Sequence, residues 1–414
     1  MCARARAEAC PETHISQDTL WSKTLADNAL RNFITKKWNI RGRKIGTLDI
    51  MLLIGMTWAG IMLRYCLRDV ETQDYTVCLG PWIEGFRAGG IAAFKGDSFN
   101  YTMPYMFFLY LISKVNYNSL YLIKLLSSAF DLILAILCGL IVYEYTKSDM
   151  RSYLAYGIVF NLPTIAVNSG LWGQCDVIYV TFIVASFYML IKDRSRASMI
   201  LYGLAFAIKL QTLFVFPFYV FMWVKKKIPI LRFLYIPAMY IICALPGLFT
   251  GRSFSKLMLT YVEQGNTEPW MLSWHWPNIW LMFGPMAFWE YYSRVGLIAT
   301  VAVIMLLLYF LVSKDISADK DMMIKIMLMF AWVVPFFLPY MHERYGYLAD
   351  IFALILFFKE PKKFLLPMLG VLISFVAYTG YLNGETAIPE YLFCFVMAGL
   401  VSYSVLQVFR SKTR

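Results

Sequence analysis

The apolar run "ASMILYGLAFAIKLQTLFVFPFYVFMWV" at residues 197–224 lies between two basic segments, "KDRSR" (192–196) and "VKKKIPILR" (224–232). Short loops rich in Lys and Arg stay on the cytoplasmic side of a membrane. Both ends of the run are therefore expected on the same side, which a single crossing does not allow. We expect a break at "AIKLQ" (207–211), where two short half-helices meet.

Lys209 and Gln211 lie at this break and are expected at the outer side of the membrane, facing a cavity. A lysine exposed to lipid at mid-membrane costs at least ~2.5–3.5 kcal/mol. The side chain therefore needs a polar environment inside the protein.

The composition of the whole chain supports a membrane protein. Of its 414 residues 60% are hydrophobic and 15% are charged, with a mean hydropathy of +0.59. Soluble domains are about 45–50% apolar and about 25% charged. The sequence therefore predicts an all-α polytopic membrane protein. The net charge of +12 does not indicate nucleic-acid binding, because most basic residues lie in short loops or in the amino-terminal segment.

The basic loops predict a topology of about 11–13 transmembrane segments, with both termini cytoplasmic. Residues 1–46 are expected to form a basic cytoplasmic extension, 47–360 the main transmembrane module, and 361–414 the last transmembrane helices and a short tail. A long external loop, 68–118, contains "PYMFFLYLISKV" (104–115), which is too short to cross and is expected in the interface. The expected spans are about 47–67, 119–145, 152–168, 174–191, 197–224 in two halves, 228–249, 293–313, 322–340, 345–358, 363–382 and 388–409.

With this topology, the polar clusters of the chain fall on the external face. They are "RDVETQDY" (68–75), "FKGDSFNYTMPY" (94–105), "WGQCD" (172–176), "KLQ" (209–211), "HWPNIW" (275–280) and "HER" (342–344). The pattern indicates an outward-facing cavity, lined by aromatic rings and holding a few acids and bases.

Each of these residues also has a structural interpretation. An acid in an external loop is often solvated, an Asp before a helix often caps it, and an exposed ion pair contributes about 0–1 kcal/mol. His275, among tryptophans, fits a membrane interface. Lys209 is the hardest to explain structurally, because intramembrane ionisable residues are functional candidates by default. The solvated acid would be Asp74, the helix cap would be Asp176, and the exposed ion pair would be Glu343 with Arg344.

Five motifs occur in order: "QDY" (73–75), "NYTMPYMFFLYLISK" (100–114), "LWGQCDVIY" (171–179), "AIKLQTLFVFPF" (207–218) and "MHERYGYLAD" (341–350). Together they resemble the GT-C superfamily of polyprenyl-phosphate-sugar-dependent glycosyltransferases. More closely, they resemble the bacterial relatives of the second mannosyltransferase of GPI-anchor synthesis. The resemblance spans roughly residues 47–360. It implies a GT-C-like bundle and an inverting, mannosyltransferase-like transfer of one hexose from a polyprenyl phosphate, such as undecaprenyl phosphate, outside the plasma membrane.

The resemblance also implies roles for individual residues. The catalytic base falls on Asp74, with Asp69 and Glu71 as neighbouring alternatives, because a carboxylate takes the proton of the attacking hydroxyl. Cations that stabilise the leaving phosphate are expected opposite the base. The expected phosphate ligands are Lys209, His342, Arg344 and Arg64, and the expected substrate-binding or supporting residues are Asp97, Tyr101, Gln174, Asp176, Tyr179, Gln211, His275, Glu343 and Tyr345.

The expected partners are the polyprenyl-phosphate-sugar donor, a glycan or glycolipid acceptor of the cell envelope, and membrane lipids. The protein is expected to be a monomer that binds no nucleic acid. No cluster has convincing metal-ligand spacing, so no tightly bound cofactor or metal is expected, although a divalent cation at the donor phosphate stays open. The alternatives are a transporter or flippase and a polymerase of lipid-linked saccharides. A transporter is expected to carry its polar groups at the midplane.

Overall fold

The computed structural model describes residues 28–40, 43–96, 99–267, 271–284, 289–384, 386 and 388–410. The described chain divides into two compact units, one ending at Gly55 and the other beginning at Met56. In both units helix is the main element, and strands are short.

The first unit contains a small polar anchor for a long helix. Residues 28–35 are helical, followed by the antiparallel strands β1 (Lys37–Ile40) and β2 (Arg43–Gly46) and then by helix α1 (Thr47–Leu67). The Thr47 hydroxyl accepts from the Trp38 indole at 3.0 Å and donates to the Lys36 carbonyl at 3.1 Å. These bonds join the hairpin to the first turn of α1.

The second unit is a helical bundle. After α1 its helices are α2 (Gly80–Gly89), α3 (Met103–Ser113), α4 (Ser119–Thr146), α5 (Asp149–Phe160), α6 (Pro163–Ala166), α7 (Asp176–Ile191), α8 (Ser195–Ile208), α9 (Phe216–Val224), α10 (Tyr235–Phe249), α11 (Phe254–Thr267), α12 (Trp289–Ser313), α13 (Lys320–Phe337), α14 (Tyr347–Lys359), α15 (Leu365–Asn383) and α16 (Glu390–Arg410). Two-residue strands β3 (Ser273–Trp274) and β4 (Met341–His342) pair in parallel.

Among the described residues, six helices are long and apolar enough to cross a membrane. They are Thr47–Leu67, Ser119–Thr146, Ile230–Phe249, Tyr291–Ser313, Pro361–Asn383 and Glu390–Arg410. A seventh span results if Asp149–Phe160 and Pro163–Trp172, which meet at 43°, are counted together. The chain is thus an all-α protein with the helices of a multi-pass membrane protein.

The remaining apolar helices are shorter and lie inside the bundle. Most residues of α7, α13 and α14 are buried, whereas few residues of α1 and of the segment Ile230–Phe249 are buried. A helix that is hydrophobic all round lies in a protein core or spans a membrane. Within the second unit, α7, α13 and α14 therefore belong to the core.

The predicted break in the run 197–224 is confirmed. Helix α8 ends at Ile208, Lys209 is extended with φ −152° and ψ 137°, and a 3₁₀ segment over Leu210–Val215 leads into α9. The Ile208 carbonyl, which has no helical partner beyond the break, accepts from the Thr102 hydroxyl at 3.0 Å. Lys209 therefore lies in a non-helical part of the backbone, between two helical segments.

A second irregular segment precedes α7. A π-helical turn covers Val167–Trp172, and Gly173 follows in the left-handed region with φ +75°. Glycine adopts this conformation without the steric cost of a Cβ atom. The turn places the side chains of Trp172 and Gln174 together, and both donate to the carboxylate of Asp74.

Candidate functional site

Asp74, the predicted base, is held by three side chains. Its Oδ2 atom accepts from the Trp172 indole at 2.7 Å and from the Gln174 amide at 2.5 Å. Its Oδ1 atom accepts from the Tyr381 hydroxyl at 3.2 Å. The residue is half-buried. Oδ2 is therefore fully engaged, and Oδ1 has the remaining accepting capacity.

The two neighbouring acids have a different environment. Asp69 is exposed, accepts from the Tyr121 hydroxyl at 2.5 Å and faces Arg68 at 3.3 Å. Glu71 is also exposed. Of these three acids, Asp74 has the most restricted geometry.

The backbone before Asp74 is fixed by a buried lysine that the sequence reasoning missed. Lys124 of α4 donates to the carbonyls of Leu67, Arg68 and Val70 at 3.2, 2.9 and 2.7 Å. Leu67 is the last residue of α1, where carbonyls lack helical partners, and Arg68 and Val70 follow it, so one ammonium group binds the helix end and the segment after it. This contact shapes the turn that leads from α1 to Asp74.

A second cluster of charges forms around Asp176. This carboxylate is fully buried in the first turn of α7. Its Oδ1 lies 2.5 Å from the Lys209 ammonium, and its Oδ2 lies 3.3 Å from Nε of Arg344 and 3.3 Å from the Asn168 amide. Asp176 thus bridges the two cations, and the helix-capping interpretation does not describe its side chain.

Glu343 provides a second counter-charge for Arg344. Its Oε1 lies 2.5 Å from Nη1 of Arg344, and its Oε2 lies 3.7 Å from Nδ1 of His342. Burial by itself raises the pKa of Glu343, but the Arg344 guanidinium and His342 outweigh it and hold the pKa at about 2. Glu343 is therefore an anion that supports its two neighbours.

Trp172 connects the acid to the cations. While its indole nitrogen donates to Asp74, its ring centroid lies 5.4 Å from the Arg344 guanidinium carbon. The same ring stacks on Tyr381 with a centroid distance of 4.9 Å. Cations are attracted to the face of a tryptophan ring. One indole thus lies between the candidate base and the candidate anion-binding group.

Other predicted residues surround this cluster. The Gln211 amide donates to the Tyr345 hydroxyl at 2.5 Å, and Lys209 lies 5.9 Å from the Tyr179 ring centroid. Tyr101 lies 5.0 Å from Tyr105, ring to ring. Burial raises the pKa of Tyr101, and Arg344 opposes this effect, which places the phenol within the field of the cluster.

His342 and His275 meet at the short β3–β4 pairing. The His342 ring stacks on Trp274 with an interplanar angle of 4° and a centroid distance of 5.7 Å. His275 forms an isolated bridge with His342, and its side chain lies 2.7 Å from Glu390. His275 therefore belongs to the rim of the site and is paired with a C-terminal helix.

Arg64 does not join the Lys209 and Arg344 cluster. It donates twice to Asp131, at 3.0 and 2.7 Å, and to the carbonyls of Gly60 and Phe160 at 3.0 and 2.9 Å. Four of the five donors of a guanidinium are therefore used. We leave Arg64 out of the proposed phosphate site. Asp97 lies outside the described residues.

Tyr381, Glu390, Lys124 and Asp131 were missed because they are outside the quoted motifs. Tyr381 and Glu390 lie in α15 and α16, which the sequence assigns to a separate carboxyl-terminal part. Among the described residues, no group of three or more His, Cys, Asp or Glu side chains is arranged to hold a metal ion.

No family model matches the chain, and no curated protein matches it.

Proposed function

We propose that the protein is an inverting glycosyltransferase that moves one hexose from a polyprenyl-phosphate donor to an acceptor hydroxyl on a glycan or glycolipid. The observation that carries the proposal is the arrangement around Trp172. The indole holds the carboxylate of Asp74 at its edge and contacts Arg344 through its ring. A base and an anion-binding cation are therefore close enough to act on the two sides of one glycosidic carbon.

The proposal extends to the membrane arrangement. Counting the shorter apolar helices and the broken ones, we propose a GT-C-like bundle of about 11–13 segments in the plasma membrane. The basic loops at 145–151, 192–196 and 224–232 would be cytoplasmic. Asp74 and Asp176 would then face the extracytoplasmic side, where lipid-linked sugars are used to build envelope glycans.

In the proposed reaction, Asp74 Oδ1 accepts the proton of the acceptor hydroxyl as the oxygen attacks the anomeric carbon. The bond from that carbon to the phosphate oxygen breaks, and polyprenyl phosphate leaves with the electron pair. A single displacement inverts the anomeric carbon. Trp172 and Gln174 fix the carboxylate through Oδ2, and Oδ1, which accepts one hydrogen bond from Tyr381, is the oxygen proposed to take the proton.

Lys209 and Arg344 are the proposed ligands of the leaving phosphate. An ammonium has three donors, and the described contacts of Lys209 use one of them for Asp176. Asp176 and Glu343 balance the two positive charges while the site is empty, because an unpaired buried charge is costly. The cations are thus held in position before the phosphate arrives, which is the arrangement that stabilises developing charge most effectively.

The first experiment tests the base. Purified protein in neutral detergent receives a radiolabelled polyprenyl-phosphate hexose and a pool of lipid-linked glycan acceptors, and the glycoside product is measured. We expect Asp74→Asn to lower transfer by about 10²–10⁴-fold while donor binding is kept. Asp69→Asn, an exposed acid five residues earlier, is the matched control and is expected to retain activity.

Full activity of Asp74→Asn would overturn the assignment of the base. The rival class is tested with wild-type protein in sealed vesicles that carry the labelled donor lipid in one leaflet. Movement of the lipid-linked sugar across the bilayer, without any new glycosidic bond in either assay, would establish a transporter and reject the enzyme.

A further inference from the structure

Three arginines converge on a cavity at the end of the bundle that is remote from Asp74. The cavity has a volume of about 390 Å³ and is lined by Arg194, Arg196 and Arg232, together with Asp193 and Ile200. The wall carries three positive charges and one negative charge. The cavity also lies at the amino-terminal end of α8, where the helix dipole adds positive potential.

The position of this cavity follows from helix α4. Ser119, at the start of α4, lies 2.9 Å from the Tyr75 hydroxyl, next to Asp74 in the chain. Glu144, near its other end, pairs with Lys192 at 2.5 Å, next to the arginine cavity in the chain. A helix rises 1.5 Å per residue, so these ends are about 40 Å apart. The cavity and the Asp74 site therefore lie at opposite ends of the bundle.

The three arginines differ from the lysines around them in their partners. Lys192 pairs with Glu144, Lys225 pairs with Asp315 at 2.5 Å, and Lys227 lies 3.9 Å from Asp193. Within the described part of the chain, none of the three arginines lies within 4 Å of a carboxylate oxygen. Arginines that line one cavity and are not directly paired with a carboxylate are the arrangement expected for an anion site.

Two contacts organise the arginines. Arg232 donates to the Ser195 hydroxyl, in the first turn of α8. The Arg196 guanidinium carbon lies 5.9 Å from the ring centroid of Tyr235. These contacts hold two of the three side chains against the protein.

The surface beside Arg232 is apolar and exposed. Ile230, Leu231 and Leu234 are 54%, 74% and 63% exposed. They belong to the segment Ile230–Phe249, which is long and apolar enough to cross a membrane. Side chains of this kind fit hydrocarbon chains, whereas the adjacent arginines fit a phosphate. The two features together match the two halves of one phospholipid.

We propose that this cavity binds the headgroup phosphate of an anionic phospholipid, whose acyl chains lie along Ile230, Leu231 and Leu234. Guanidinium groups bind phosphate oxygens through two parallel hydrogen bonds. The site requires neither the Asp74 site nor the proposed sugar transfer. Its ligand chemistry, an anionic phosphate group, is shared with free phosphate, and the lipid is favoured because an apolar surface adjoins the cavity.

The test uses delipidated full-length protein in neutral detergent. Thermal unfolding is followed as phosphatidylglycerol, phosphatidylcholine with the same acyl chains, or inorganic phosphate is added. We expect saturable stabilisation by phosphatidylglycerol only. The variant Arg194→Gln with Arg196→Gln, two exposed positions, is expected to weaken this binding by at least fivefold.

The matched control is Lys226→Gln with Lys362→Gln, which removes the same charge from two exposed positions in basic loops. It is expected to bind phosphatidylglycerol as the wild type does. Equal weakening in both variants would reduce the effect to general surface charge and overturn the site. No weakening in either variant would show that the arginines do not bind the lipid and would also overturn it. Saturable protection by inorganic phosphate, with none by phosphatidylglycerol, would assign the cavity to a soluble anion and overturn the lipid.

Discussion

At the residue scale, Trp172 has the most connections in the candidate site. Its indole nitrogen binds Asp74, its ring contacts Arg344, and it stacks on Tyr381. It is fully buried. A hydrogen bond from a neutral donor to a charged acceptor contributes about 1.5–3 kcal/mol. The loss of this bond is expected to affect the reaction, because the bond fixes the proposed base.

The corresponding prediction concerns Trp172→Phe, which keeps an aromatic ring but removes the donor. We expect kcat for sugar transfer to fall about 10–100-fold, the rate equivalent of that bond energy. The KM for the donor is expected to change little, because Lys209 and Arg344 stay in place. Both constants are measured with purified enzyme.

Trp332→Phe is the matched control for that variant, since Trp332 is a buried tryptophan of α13. It is expected to lose packing without a comparable loss of kcat. Equal losses of kcat in the two variants would show that Trp172 acts through packing alone.

At the element scale, α15 and the start of α16 approach each other closely at Gly380. A Cβ atom at this position would lie 2.2 Å from Oε1 of Glu390 and 3.0 Å from Nδ1 of His275. The two atoms are the partners of one hydrogen bond. A side chain at position 380 therefore requires the Glu390 carboxylate to move away from His275.

Gly380→Ala is accordingly expected to displace the Glu390 carboxylate and to lose its hydrogen bond to His275, a cost of about 0.5–1.5 kcal/mol that offsets the gain from alanine in a helix. Gly399→Ala in α16 is the control, because a Cβ atom there has no other atom within 4 Å. It is expected to stabilise the helix by roughly 0.5–1 kcal/mol. Thermal unfolding of both variants in the same detergent compares them, and equal behaviour would contradict the close approach.

At the scale of the whole molecule, the carboxyl-terminal helices belong to the candidate site. Tyr381 reaches Asp74, and Glu390 reaches His275, across sequence separations of 307 and 115 residues. The hydrogen bond that His275 donates to the Glu390 carboxylate raises the pKa of His275, and burial opposes this effect only in part. Folding therefore favours the protonated histidine.

This pair predicts how stability depends on pH. A raised pKa in the folded state contributes stability that is complete below the ordinary histidine pKa of about 6.5. The contribution is lost as the pH rises through the folded pKa. The unfolding temperature is expected to fall by about 1–3 °C between pH 6 and roughly pH 9, and Glu390→Gln is expected to reduce this slope. An unchanged slope in Glu390→Gln would contradict the role of the pair.

The sequence by itself determined the membrane class and the broken helix. Composition and the basic loops indicated a helical membrane protein, and Lys209 between two basic loops marked where α8 ends. These features are local, since the cost of placing a charge or a helix end in lipid depends on a few neighbouring residues. The same reasoning predicted that Asp74, Asp176, Lys209 and Arg344 lie on one face of the membrane.

The tertiary structure decided which of these residues touch. It pairs Asp176 with Lys209 and Arg344. It pairs Arg64 with Asp131, away from that cluster. It also brings Tyr381, from a helix that no motif marked, into contact with Asp74. Such contacts join side chains far apart in the chain, and their partners are fixed only when the helices pack. A single sequence states which residues are costly to bury, whereas the packed bundle determines which partner offsets each cost.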